Sequence, residues 1–387
     1  MLTAREAAER LGVKLETLYA YVSRGRLRSV AVAGSRERRY RAEDIAAARV
    51  ARGAARAAAA ATAMEPATPG VTSSISLIEG GRLYYRGRDV LRLSDTATLE
   101  GIAALLWDAP RADEFPSSTS SLSAAWAKSD RTRDEWQAAD LIARCQIRLA
   151  EMAGDDPQAL DLSRAGMIRS GRNIVAELVT CSGGGLRSRP VHRRLASGWG
   201  LDAIGADILR RCLVLTADHE LSPSSFVARC VASTGAAPHA AVAAALAALS
   251  GERHGGAVWR AAARLGELAR EGDPMIAAAE RLARGEILPG IGHPLYPDGD
   301  PRAVAILYAI SARVPQARRF VGWQPNIDFA LAVATAAFAL PPVAALALFI
   351  VGRSVGWIAH AIEQYESGVL VRPRARYTGL RPEEAPD

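Results

Sequence analysis

The chain has 387 residues, 49% of them hydrophobic, which is enough for one large domain with a buried core and a smaller one beside it. Its formal net charge is +7, and the whole excess falls in the first 56 residues, with 13 basic and 6 acidic side chains; the remainder is neutral. Four cysteines (Cys145, Cys181, Cys212, Cys230) without C-x-x-C spacing and six histidines without zinc-ligand spacing argue against a disulfide framework or a structural metal.

In chain order, Thr3 followed by Glu6 is a capping box that starts a helix with Ala7, Ala8 and Leu11 on its apolar face. This pattern begins at once, so no signal peptide is expected, and reduced thiols fit a cytoplasmic protein. Gly12 makes a turn. Leu15, Leu18 and Val22 carry a second helix ending near Gly25. Residues 28–35 alternate, turn at Gly34-Ser35 and return through Arg36 to Tyr40, a hairpin wing; a third helix starts near Glu43. Residues 1–50 thus read as a small winged helix-turn-helix, whose basic excess suits a polyanion. Residues 51–70, rich in alanine and ending Pro66-Ala67-Thr68-Pro69-Gly70, read as a linker.

From Val71 onward the pattern is helical, as in Leu99 to Trp107, Ala240 to Leu249 and Ile276 to Leu282. Strand signals are short, near Ile75 to Ile78 and Leu83 to Tyr85. The body is expected to be all-α. Gly183-Gly184-Gly185 has no Walker sequence around it and reads as a mobile surface loop. Phe329 to Gly352 carries no charge, but Pro341-Pro342 divides it into two segments too short to span a bilayer, so two buried helices and no membrane partner are expected.

The chemistry concentrates after Asp218. Asp218-His219-Glu220 is followed by His254-Gly255-Gly256, Gly290-Ile291-Gly292-His293, Asp300-Pro301-Arg302, Asn326-Ile327-Asp328-Phe329, Arg353-Ser354-Val355-Gly356-Trp357 and Arg372-Pro373. His192, His239 and His360 read as core or loop histidines. His254 and His293 differ: each lies beside glycine at the end of a helical segment, where a ligand can approach the backbone. Asp328, leading into an apolar run, is either an N-cap or a base in a dry site.

These segments, in this order, resemble the citrate synthase family, from about Val71 to Gly379. The stretch from Ile75-Ser76 to Asp89-Val90 resembles its N-terminal signature. The resemblance implies large and small helical domains, about 71–253 with 329–387 and about 254–328, after the linker. It implies condensation of acetyl-CoA with oxaloacetate to citrate and CoA, with no cofactor or metal and acetyl-CoA as substrate. Removing a proton beside a thioester needs a carboxylate and simultaneous stabilisation of the enolate oxygen. By resemblance Asp328 is that base, His254 donates to the enolate oxygen, and His293 polarises the ketone. His219, Arg302, Arg353 and Arg372 bind the dianionic keto acid, Arg372 from the neighbouring subunit of a homodimer.

The sequence departs from the family where Glu252-Arg253 precedes His254, where Leu221-Ser222-Pro223 follows Glu220, and in a shortened stretch between His293 and Asp328. Two alternatives follow: a 2-methylcitrate synthase using propionyl-CoA, and a metabolite-sensing DNA-binding regulator on the same scaffold. The N-terminal unit resembles the MerR/excisionase-type helix-turn-helix, which implies DNA contacts from Lys14, Thr17, Tyr21 and Arg24 on the second helix and from Arg36, Arg38 and Arg39 on the wing.

Overall fold

A computed structural model of the chain describes residues 1–23, 27–32, 37–45, 48, 71–110, 115–116, 138–185, 189–270, 272–284, 286, 289–374 and 377–379. Arg24, Arg36 and the 51–70 linker lie outside the described residues.

In the N-terminal unit, α1 (Ala4–Leu11) opens with the expected capping box: Glu6 N–H donates to Thr3 Oγ1 at 3.2 Å, and Thr3 N–H to the Glu6 carboxylate at 2.8 Å. Gly12, at φ 63°, closes the helix. After α2 (Leu15–Ser23), β1 (Val30–Ala31) pairs antiparallel with β2 (Arg38–Arg39), and residues 42–45 are helical. Ala7, Ala8, Leu11, Leu18, Leu27, Tyr40 and Ile45 form a core of this unit's own.

The body is all-α apart from one small sheet. Antiparallel β3 (Ser76–Glu79), β4 (Arg82–Tyr85) and β5 (Arg88–Asp89) lead into α3 (Val90–Thr96) and α4 (Leu99–Trp107). There follow α5 (Ala138–Asp155), α6 (Arg164–Cys181), α7 (Val191–Trp199), α8 (Ala203–Thr216), α9 (Pro223–Ala232) and α10 (Pro238–Leu249). The chain continues through α11 (Gly255–Arg270), α12 (Pro274–Ala283), α13 (Pro301–Ile310) and a 3₁₀ segment, Pro315–Trp323. It finishes with α14 (Ile327–Ala337) and α15 (Val343–Ser367).

The apolar stretch after Asp328 is indeed two helices, parted at Pro341-Pro342. The second is longer than that break implied: α15 has 25 residues, long and apolar enough to cross a membrane by length and composition. Its apolar window is fully buried in the protein, against α4, α6, α8, α9, α10, α11 and α14. Trp107 and Trp357 are buried with their indole N–H groups satisfied, Trp107 donating to the Val355 carbonyl at 2.9 Å. The glycine run after α6 is no free surface loop. Gly184 is buried, and Gly185 exchanges hydrogen bonds with Arg194 of α7.

Two close approaches set the geometry of the body's centre. On α15, a Cβ at Gly352 would lie 2.1 Å from Thr216 Oγ1, and one at Gly356 2.3 Å from the Ala217 carbonyl. The helix therefore lies directly on the end of α8 and the residues after it. Gly290, at φ +88°, would bring a Cβ within 2.8 Å of the Phe329 amide nitrogen, so the loop before His293 rests on the first turn of α14.

Candidate active site

Every predicted residue of the body except Arg372 gathers around these approaches. His219 lies just after α8, and Arg353 on α15 reaches back to that segment, its Nε donating to the Thr216 carbonyl at 2.8 Å. His254 sits in the turn before α11, so it opens a helix as well as following one. His293 lies in the loop between α12 and α13, several residues beyond any helix end. Arg302 and Asp328 each occupy the second residue of a helix, α13 and α14.

The choice left open for Asp328 resolves against capping. Asn326 is the N-cap, its side chain accepting from the amides of Asp328 and Phe329 at 3.0 and 3.3 Å. Asp328 lies in the first turn with no donor to its carboxylate among the described residues. Burial pushes its pKa up to about 7, against Arg302 and Arg353 and with Asp300.

The histidines are held neutral. Burial, with Arg353 adding, lowers His254 to about 4, and burial with Arg302 lowers His293 to about 4. His219 is pushed well below its ordinary value by burial and by Arg302, His293, Arg353 and His254. Tautomers follow from partners. The Leu295 amide donates to His293 Nδ1 at 3.2 Å, which leaves the proton on Nε2. His254 Nε2 is 2.7 Å from Ser224 Oγ, which also accepts from the Trp357 indole at 3.0 Å. In the tautomer with the proton on Nδ1, His254 Nε2 accepts the Ser224 hydroxyl hydrogen.

Aromatic contacts tie His219, His293 and Tyr296 together. The rings of His219 and His293 are 5.2 Å apart and edge-on, and Tyr296 packs on both. Tyr296 Oη is 2.9 Å from His219 Nε2, and the Arg302 guanidinium stands 5.4 Å from its ring centroid. Arg302 does not present a free fork. Asp300 takes its Nε and Nη2 at 3.0 and 2.8 Å, and only Nη1 remains buried without a partner. Asp300 also accepts from the Ile327 amide at 3.1 Å, linking α13 to α14 next to Asp328. One terminal nitrogen of Arg353 donates to Ser222 at 3.2 Å.

Arg372 is not brought in. It follows α15 as an exposed residue and bonds to none of these groups among the described residues. In the N-terminal unit Lys14 is exposed and Thr17 part-buried, but Tyr21 packs on the small core; Tyr19 is the exposed aromatic of α2. Arg38 donates to Ser29 at 2.9 Å, and Arg39 lies 3.5 Å from Glu37.

Sequence reading gave no role to Ser224, Tyr296, Asp300, Asn326 or Trp357. Asp300, Asn326 and Trp357 sit inside the quoted motifs; Tyr296 follows His293 closely, and Ser224 had only its nearness to Pro223 as a signal. His360 is the buried core histidine expected, yet its Nε2 is 3.3 Å from Asp218, the neighbour of His219.

The description "citrate synthase, C-terminal domain" fits residues 66–374, most of the chain. This protein belongs to the citrate synthase family. A helix-turn-helix domain matches residues 1–48. The citrate synthase of Haloferax volcanii is 29% identical over 352 residues, covering 79% of this chain and 93% of its own. The 2-methylcitrate synthase 1 of Corynebacterium glutamicum is 28% identical over 364 residues, covering 81% and 93%. Among solved structures, the citrate synthase of Thermoplasma acidophilum in a ternary complex with carboxymethyl coenzyme A and oxaloacetate matches with a TM-score of 0.65 at 22% identity. That match covers 83% of this chain and 97% of the other, and supports the all-α fold. The protein is a citrate synthase-type enzyme, and citrate synthases need no cofactor beyond their acyl-CoA substrate.

Proposed function

We propose that the enzyme condenses acetyl-CoA with oxaloacetate, giving citrate and CoA. The observation that carries this reading is the Asp328 carboxylate, raised to about 7 by burial, together with His254 and His293, which burial keeps neutral. A base poised near neutrality can take a weakly acidic proton at physiological pH.

In this mechanism Asp328 removes a proton from the methyl carbon of the thioester and becomes a carboxylic acid. His254 Nδ1–H donates to the enolate oxygen. The enolate carbon attacks the ketone carbon of oxaloacetate, and His293 Nε2–H gives its proton to the ketone oxygen. Water then attacks the thioester carbonyl; its two protons go to the departing CoA thiolate and back to His293, and Asp328 releases its proton to solvent. The keto acid carboxylates meet Arg302 Nη1, Arg353 and His219, with Arg372 supplied by a second subunit. Neutral histidines suit these roles, since each donates without adding a cation.

Residues 71–253 with 329–387 act as the large domain, and residues 254–328 as the small domain that closes on the CoA. The working unit is a homodimer in the cytoplasm, with no membrane partner. The N-terminal unit binds DNA through Lys14, Thr17, Arg38 and Arg39, with Arg24 and Arg36. Tyr21, packed on the core, lends a ring edge at most.

A second reading has its own support: 2-methylcitrate synthases match this chain at 28% identity, beside 29% for a citrate synthase. Purified protein mixed with oxaloacetate and either acetyl-CoA or propionyl-CoA, with free thiol followed, separates the two. Faster release from acetyl-CoA is expected. Faster release from propionyl-CoA establishes the 2-methylcitrate reading. Release from neither overturns both and leaves a metabolite-sensing regulator.

A further inference from the structure

His219 is flanked by two residues that a strand from the start of the body holds in place. The Ser76 hydroxyl, on β3, donates to Asp218 Oδ2 and accepts from the Glu220 amide at 2.9 Å. Two residues on, the Ile78 amide donates to the Glu220 carboxylate. Asp218 and Glu220 are thus bonded on either side of His219 by one short strand.

The backbone there needs such a clasp. Glu220 has φ 51°, the left-handed region that a residue with a Cβ rarely adopts, and it persists only where surrounding bonds impose it. Its amide and its carboxylate are both taken by β3. Asp218 is fixed from the other direction. Its amide donates to Tyr85 Oη at 3.0 Å, and its carboxylate lies by His360. Burial disfavours that carboxylate's charge, but His360, Arg353 and the Ser76 hydroxyl outweigh it and hold the group ionised. Ser76 therefore donates to a carboxylate whose charged form its other partners also favour. Among the described residues the ring of His219 takes one hydrogen bond, at Nε2 with Tyr296, beside its packing on His293.

We propose that Ser76 is a positioning residue for the keto acid: its hydroxyl clips together the two neighbours of His219 and so fixes the direction in which that imidazole meets the substrate. The proposal rests on the reading of His219 as a keto-acid ligand. Ser76 touches no substrate. It acts through the strained turn at Glu220.

The test uses the full chain and four proteins: the natural one, Ser76→Ala, Ser76→Thr and His219→Ala. Oxaloacetate binding is measured by titration calorimetry, so that the readout does not depend on the acyl chain preferred. KM values for oxaloacetate and acyl-CoA and thermal midpoints are measured beside it. A hydrogen bond to a charged group is worth roughly ten- to a hundredfold in affinity, and a loss approaching that order in oxaloacetate affinity is expected for Ser76→Ala. The acyl-CoA KM should stay unchanged, and Ser76→Thr, which keeps the hydroxyl, should recover the affinity. Unchanged oxaloacetate affinity in Ser76→Ala, with affinity lost in His219→Ala, overturns the role of Ser76 alone. Unchanged affinity in His219→Ala overturns the keto-acid reading of His219 and the proposal with it. Parallel loss for both substrates with a lower thermal midpoint, unrelieved by Ser76→Thr, assigns Ser76 to the fold only.

Discussion

Asn326 caps the helix that carries Asp328, accepting from the Asp328 amide at 3.0 Å, and so leaves that carboxylate free of the helix terminus it would otherwise serve. An aspartate that capped its own helix would have its charge stabilised and its pKa lowered. One residue supplies the cap and the next-but-one keeps a desolvated carboxylate.

The pH dependence follows from this division. Above about 7 Asp328 is ionised and able to accept a proton, so kcat/KM should fall as pH drops through about 7. His254 and His293, lowered to about 4, stay neutral over that range and add no limb of their own. A profile flat down to pH 5 would show that the base is not a buried carboxylate. Asp328→Asn should abolish turnover and retain oxaloacetate binding.

The same carboxylate should cost stability when ionised. Its folded pKa lies above its unfolded one, so the folded state holds the extra proton between about 4 and 7. Stability is then lost as pH rises through that window. Asp328→Asn should accordingly raise the thermal midpoint at pH 8 and not at pH 4, which calorimetric scans at the two pH values would read directly.

Removing the imidazole of His254 should cut turnover by ~10²–10³, the usual loss for one oxyanion donor. Ser224→Ala should give a smaller fall, because it removes the hydroxyl hydrogen-bonded to His254 Nε2 and leaves the ring in place. Steady-state rates for both variants decide the order. A Ser224→Ala enzyme slower than His254→Ala would reverse the assignment.

Gly290→Ala should harm both fold and activity. The new Cβ would stand 2.7 Å from Phe329 Cβ and force α14 away, at a cost of about 1–3 kcal/mol. Gly200, at φ +71° with open space around it, offers the comparison: its alanine variant should lose about 1 kcal/mol and keep full turnover. Denaturant titration with assays of both variants checks the contrast.

Arg372 is exposed in the single chain, which fits a residue that completes the site of a second subunit. Asp328→Asn and Arg372→Ala homodimers should each be inactive. Mixed dimers, isolated by two different tags, should recover activity, since one of their sites pairs an intact Asp328 with an intact Arg372. Background activity in verified mixed dimers would confine Arg372 to its own subunit or to no role.

The sequence by itself determined the elements and the reacting types. Capping chemistry at Thr3 and Glu6, the 3.6-residue periodicity of the helices and the proline break at Pro341-Pro342 are local signals, and local structure obeys them. The ordered motifs around His254, His293, Asp328 and Arg353 likewise survive as a pattern in one dimension. The tertiary structure alone decided what those residues can do. Asp328 is raised to about 7 by burial, against Arg302 on α13 and Arg353 on α15, Arg302 spends most of its fork on Asp300, and Ser224 reaches His254 across 30 residues. Only packing brought Ser76 to the two neighbours of His219, 142 and 144 residues away. Charge states, tautomers and hydrogen-bond partners depend on distances between segments far apart in the chain, and those distances are fixed by how glycine-bearing helix faces close on one another.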